Sequence, residues 1–215
     1  PGTGETPDPG EHAELEAAIN ELSETIAKAE SFQENINLTE EQKQFLRQAI
    51  MEAQVTDRSS LQAVQDASSN LLNIVTELQK VSATALDTAI NELNEAIRQA
   101  EILQGNLNLT AAQIQRLEQI LTATTTVDKG ILRAVREARG NLLNVIEEIQ
   151  IVLDGELFTA LSELDEAILQ GNGLKENSNL TPEQSQTLTD VLTKAESVDR
   201  SNLASILEAQ ENVLS

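Results

Sequence analysis

The chain has 215 residues, room for one large domain or several small ones, and 40% of them are apolar, enough to bury a core. A formal charge of −22 sets its surface against nucleic-acid phosphates and anionic lipid, and favours solubility or attraction to a basic partner. Cysteine, tryptophan and tyrosine are absent, which excludes disulfides, thiolate metal sites and cysteine nucleophiles and leaves Leu, Ile, Val and Ala to make a core of packed helices.

The opening stretch, PGTGETPDPG, holds three of the four prolines and reads as a flexible linker over residues 1–11 or as a fragment boundary. No segment approaches about 18 consecutive apolar residues, and no signal peptide is visible. The first predicted helix carries Leu15, Ile19, Leu22, Ile26 and Ala29 at alternating four- and three-residue steps, which lays one narrow apolar stripe along it. A second follows NLTEEQ with Leu46, Ala49, Ile50 and Ala53, and a third follows DRSSL with Leu61, Val64, Leu71, Val75 and Leu78.

The pattern then recurs. LEAAINELSETI begins at Leu15, LDTAINELNEAI at Leu86 and LFTALSELDEAI at Leu157, and these starts are 71 residues apart. The NLT triplets at Asn37, Asn108 and Asn179 keep that step, as do DRSSL, DKGIL and DRSNL at Asp57, Asp128 and Asp199. Three amphipathic helices with short connections predict an up-down-up bundle in each copy, over residues 12–82, 83–153 and 154–215. The last copy stops short within its third helix, which suggests that a longer array continues. Neither Gly nor Pro occurs between Thr56 and Gly105, so the third helix of one copy is expected to run into the first helix of the next. A single helix over Asp57–Leu103 would be about 70 Å long. At the second junction Gly155 costs a helix only about 1 kcal/mol relative to Ala, so continuity is expected there too, with a bend. The predicted fold is all-α: three tandem three-helix bundles joined by long continuous helices into an elongated rod.

Each NLT stretch can start a helix. Thr39/Gln42, Thr110/Gln113 and Thr181/Gln184 have capping-box spacing, and Pro182 suits the first helical position. Leu38, Leu109 and Leu180 are placed to plug a bundle end, while only Ile114 could complete a hydrophobic staple. The same letters also spell N-x-T glycosylation sequons, although an Asn two residues before a cap is ordinary turn chemistry. Asp57, Asp128 and Asp199 are expected as N-caps of the third helices rather than as metal ligands. Asn70, Asn141 and Asn212, poor helix-interior residues, are expected to bridge to the NLT loops or to mark a ligand face.

No catalytic, cofactor or metal site emerges. His12 stands alone before the first helix, and carboxylates such as Glu21, Glu92 and Glu163 fall at exposed helix positions. The glycines of LQGNGLKEN lack the G-K-S/T of a phosphate loop. Among the scarce aromatics, Phe158 is the one candidate ligand contact, with packing into the core the favoured alternative.

The succession from ALDTAINELNEAIRQAE through NLNLTAAQIQRLEQIL to GNLLNVIEEI resembles FIVAR-type three-helix repeats. Those occur in Gram-positive surface adhesins and as accessory segments of secreted glycosidases; albumin-binding GA modules share the three-helix plan but are shorter. The resemblance covers nearly all of residues 12–215, once per copy, and brings no catalytic residues. It implies a non-enzymatic stalk, extracellular or attached to a bacterial cell wall, monomeric within a longer array. The alternative it leaves open is a binding module for a host serum or matrix protein or a glycan.

Overall fold

The computed structural model describes residues 9–176 and 179–215. The protein is all-α, with seven helices and no strand among the described residues. They are α1 (Pro9–Gln33), α2 (Glu40–Gln54), α3 (Leu61–Gln104), α4 (Ala111–Thr125), α5 (Leu132–Lys175), α6 (Pro182–Glu196) and α7 (Leu203–Leu214). The helix α1 starts at Pro9, before the end of the linker expected over residues 1–11; residues 1–8 lie outside the described part. Proline is tolerated there because the first helical amide has no intrahelical acceptor to lose.

Helices α3 and α5 are each 44 residues long, about 66 Å at the usual helical rise. Both cross a boundary between sequence copies without a break, α5 through Gly155. Beyond the adjoining backbone of its own helix, a β-carbon added at Gly155 would meet no heavy atom within 4 Å. Gly155→Ala should therefore stabilise the protein by up to about 1 kcal/mol through helix propensity alone, read as a higher urea midpoint. A lowered midpoint would contradict an unstrained helix at that point.

The apolar stripes are buried in three clusters. The first joins Leu22 and Ile26 of α1, Leu46 and Ile50 of α2, and Val64 and Leu71 of α3, with Leu38 closing in from the loop. The second joins Ala96 and Ala100 of α3, Leu117 of α4, and Leu142 and Ile146 of α5. The third joins Leu164 and Ile168 of α5, Leu192 of α6 and Ile206 of α7. Equivalent positions 71 residues apart are sealed alike: Leu22, Leu93 and Leu164 are each 0% exposed, as are Val64, Val135 and Ile206. One position is traded rather than repeated. Ala29 and Ala100 give way to Gly171, where an added β-carbon would lie 2.7 Å from Leu192 Cδ2, so Leu192 occupies the space of the missing methyl group.

The chain divides into two compact units, Pro1–Glu92 with Asp128–Arg136, and Leu93–Val127 with Glu137–Ser215. The first cluster belongs to the first unit; the second and third belong to the second. The first unit also contains a buried polar pair. Thr25 Oγ1 donates to the Glu21 carbonyl or shares a 3.2 Å hydrogen bond with Ser68 Oγ, so neither hydroxyl is left without a partner.

Candidate functional site: the NLT loops

The loops between α1 and α2 and between α3 and α4 are built alike, and the motif is longer than NLT. Asn35 and Asn106 come first: their side-chain oxygens accept from the amides of Asn37 and Asn108 at 2.9 Å, and their carbonyls accept from Leu38 and Leu109. Such Asx turns reverse the chain at the end of a helix without calling for a positive φ angle. No non-glycine residue among those described has one. The reversal drives Leu38 into the first cluster and sets Leu109 against the second.

Two residues on, each middle helix begins with both halves of a capping box. Thr39 Oγ1 accepts from the Gln42 amide at 3.2 Å, and Gln42 Oε1 accepts from the Thr39 amide at 2.8 Å. Thr110 with Gln113 and Thr181 with Gln184 repeat the arrangement. Two amides that the helix cannot satisfy internally are thus paired at each start.

The second asparagine of the motif reaches much farther than turn chemistry suggests. Asn37 Nδ2 donates to the Gly130 carbonyl at 2.8 Å, and Asn37 Oδ1 accepts from the Leu132 amide at 2.8 Å. Asn108 does the same to the Ser201 carbonyl and the Leu203 amide, both at 2.9 Å. One side-chain amide therefore grips both polar groups of a backbone segment, and the segment is the start of the third helix in the following sequence copy. Asn37 and its partners lie within the first compact unit, Asn108 and its partners within the second.

What the clamp contributes differs between the two places. The residue before Leu132 is Ile131, whose side chain has no acceptor, so Asn37 provides the side-chain cap that α5 cannot supply at its own N-cap position. At α7, Asn202 caps in its own right by accepting from the Ser205 amide at 3.1 Å, and Asn108 adds to it. Asn37→Ala should accordingly cost about 1–2 kcal/mol and Asn108→Ala less, measured by urea unfolding. Equal or negligible losses would remove the clamp from the account. The amide nitrogen that would carry a glycan at Asn37 or Asn108 is the one donating to Gly130 or Ser201, so attachment there would compete with the clamp.

Asp57, Asp128 and Asp199 are not the N-caps expected of them. Each lies four residues before the first helical residue and heads an Asx turn instead, accepting from the amide of Ser59, Gly130 or Ser201 at 2.8–2.9 Å. In α3 the capping position is held by Ser60, whose Oγ accepts from the Ala63 amide at 3.3 Å. Hydrogen bonds from the Ser59 and Ser201 hydroxyls, and then from their amides, hold the Asp57 and Asp199 carboxyls below the usual range. On α3 the Arg98 guanidinium, with help from Gln99, lowers Glu95 to about 2. A carboxyl depressed in this way keeps its interactions at neutral pH and loses them as pH falls below the ordinary carboxylate range, so acid loosens these contacts and alkali does not.

The remaining candidates are placed as follows. Asn70, Asn141 and Asn212 are exposed on their helices, and none of their side chains bonds to an NLT loop among the described residues; the asparagine that bridges comes from the loop itself. Glu21, Glu92 and Glu163 are exposed, Glu163 accepting from Gln210. His12 Nδ1 lies 3.5 Å from Glu16 on the exposed first turns of α1. No group of three potential ligands that could hold a metal ion occurs among the described residues. Phe158 is 73% exposed rather than packed in the core, because the buried stripe of α5 runs through Ala160, Leu164 and Ile168 with Leu157 beside it, and Phe158 falls one residue outside it. Ile151 and Leu169 are exposed on the same side of the helix, at positions where α3 carries Lys80 and Arg98.

No helix of the described part is long and apolar enough to cross a membrane. No family model matches the sequence, and no curated protein and no solved structure matches it.

Proposed function

We propose that the protein is a non-enzymatic spacer: three tandem three-helix bundles, over residues 12–82, 83–153 and 154–215, joined end to end into an elongated rod. Its place, on this reading, is the outside of a bacterial cell, secreted or wall-attached, as the stalk of an adhesin. The observation that carries the reading is the pairing of continuous helices with clamps at a constant step. Helices α3 and α5 pass from one copy into the next, and Asn37 and Asn108 each tie a loop to the start of a helix one copy later. A flexible string of beads needs neither device. A spacer that holds its length under load needs both, because repeat arrays gain stiffness and stability from the contacts between neighbours. A surface of charge −22 keeps such a stalk soluble and resists lateral clumping.

A second reading, a binding module for a host protein or glycan, is favoured by one observation, the exposed Ile151, Phe158 and Leu169 on α5. Immobilised protein challenged with serum, matrix extract and a glycan panel separates the two. The spacer retains nothing saturably. Saturable capture of one species, lost in Phe158→Ser, would replace the spacer by the binding module.

A further inference from the structure

We propose that Asn172, near the end of α5, is a site of spontaneous covalent modification, where the side-chain amide is converted through a cyclic imide to aspartate and isoaspartate. Asn172 is the only asparagine in the chain that is followed by glycine. The reaction joins the backbone nitrogen of the next residue to the side-chain carbonyl carbon. A β-carbon on that next residue crowds the approach, and Gly173 has none. The Gly173 nitrogen bonds to Asn172 Cγ as the Cγ–Nδ2 bond breaks, and its proton passes through water to the departing nitrogen, which leaves as ammonia. Water then opens the imide ring at either carbonyl. Cleavage at Cγ restores the ordinary backbone as aspartate; cleavage at the backbone carbonyl routes the chain through Cγ as isoaspartate. The sum is water consumed and ammonia released, with no oxidant or reductant.

The fold places this pair where the chemistry can run. A closed helix keeps the Gly173 nitrogen bonded to the carbonyl four residues back and turned away from Cγ, so the last turn must open first. Gly171, Asn172 and Gly173 are three poor helix formers in succession, just before α5 ends at Lys175, and the final carbonyls of a helix have no intrahelical partner. Opening costs little packing there, because Asn172, Gly173, Leu174 and Lys175 are all exposed. No hydrogen bond holds the Asn172 carboxamide among the described residues. Packing does not call for the second glycine either. Beyond the adjoining backbone of its own helix, a β-carbon at Gly173 would meet no heavy atom within 4 Å, whereas one at Gly171 would lie 2.7 Å from Leu192 Cδ2.

The two products differ in what they do to the fold. The positions equivalent to Asn172 in the first and second copies are Glu30 and Glu101, both exposed, so aspartate puts a carboxylate where the other copies already carry one. Isoaspartate instead lengthens the main chain by one atom directly after Gly171. The backbone there has no room to shift toward Leu192 of the third cluster, so the iso product loosens the packing of α5 on α6.

The test is peptide mapping of the full chain after storage at neutral pH for successive intervals. Mass spectrometry with electron-transfer fragmentation, which separates aspartate from isoaspartate, should find both acids at position 172. Conversion there should run about tenfold or more ahead of every other described asparagine, none of which combines a following glycine with a helix end that opens this easily. Gly173→Ala should slow it by about tenfold or more, with the melting temperature unchanged or raised, since the methyl group blocks the approach and strengthens the last turn. Asn172→Asp should melt like the parent, while the isoaspartate fraction separated from stored protein should exchange the amide hydrogens around Leu192 faster. An Asn172 that keeps its amide while other asparagines convert, or that converts as fast in Gly173→Ala, overturns the proposal. Aspartate without isoaspartate would mean direct hydrolysis and would overturn it equally.

Discussion

Leu93→Ala should lower the free energy of unfolding by about 3–5 kcal/mol, among the largest losses available to a single substitution in this chain. Leu93 is 0% exposed in α3, and Leu22 and Leu164, one copy before and one after, are sealed to the same degree. Truncation removes buried methyl groups and leaves a cavity that a close-packed interior refills only in part. Because total stabilities of natural domains run only to about 5–15 kcal/mol, the variant should lose a large part of its resistance to urea. Asn141→Ala, on the exposed face of α5, is the matched control. It should be neutral or slightly stabilising, by a few tenths of a kcal/mol, since Ala is the better helix former. A Leu93→Ala protein that unfolds like its parent would mean that this leucine does not close a core.

The second large effect belongs to the backbone. Ala83 is exposed in the middle of α3, so a side-chain change there disturbs no packing. Ala83→Pro removes the amide that bonds the carbonyl four residues back and drives the ring into that turn, at a cost of about 3 kcal/mol or more. If α3 couples successive bundles, calorimetry should show the parent unfolding in one transition and the proline variant in two. Ala83→Gly, at about 1 kcal/mol, should lower the midpoint without splitting the transition. A single transition in the proline variant would show that neighbouring copies do not depend on the helix between them.

Features decided within a few residues were legible from the sequence. Thr39 and Gln42 are three residues apart, and a capping box needs no information beyond that spacing. The apolar stripes were readable for the same reason, since a helix periodicity places Leu22, Leu93 and Leu164 on one face before anything else is known. The aspartates were misassigned by a small distance. An acidic residue shortly before a helix can cap it or head the turn leading in, and Asp57 lies four residues before Leu61, too far for the first of these. The partners of Asn37 were not legible, because they are 93 and 95 residues away and nothing in an N-x-T triplet points to Gly130 or Leu132. A signal was nevertheless present: Asn35 and Asn106, two residues earlier, repeat at the same step of 71, and a turn that already has one asparagine does not require a second. Phe158 was drawn toward the core by its aromatic ring, yet it is one residue, some 100° around the helix, from the stripe that is buried.

The NLT stretches therefore have two functions in this account. Their threonines start the middle helices, and Asn37 and Asn108 each fasten a loop to the start of a helix in the following copy. The spacer reading depends on the second of these together with the continuous helices, and small-angle X-ray scattering of the full chain tests it most directly. A compact chain of this length would have a radius of gyration of about 17 Å. If the proposed rod is right, its long axis predicts a maximum dimension of roughly 100 Å and a radius of gyration well above that value. A pair-distance distribution that is symmetric and closes near 55 Å, about the width of a compact particle of this size, would contradict it.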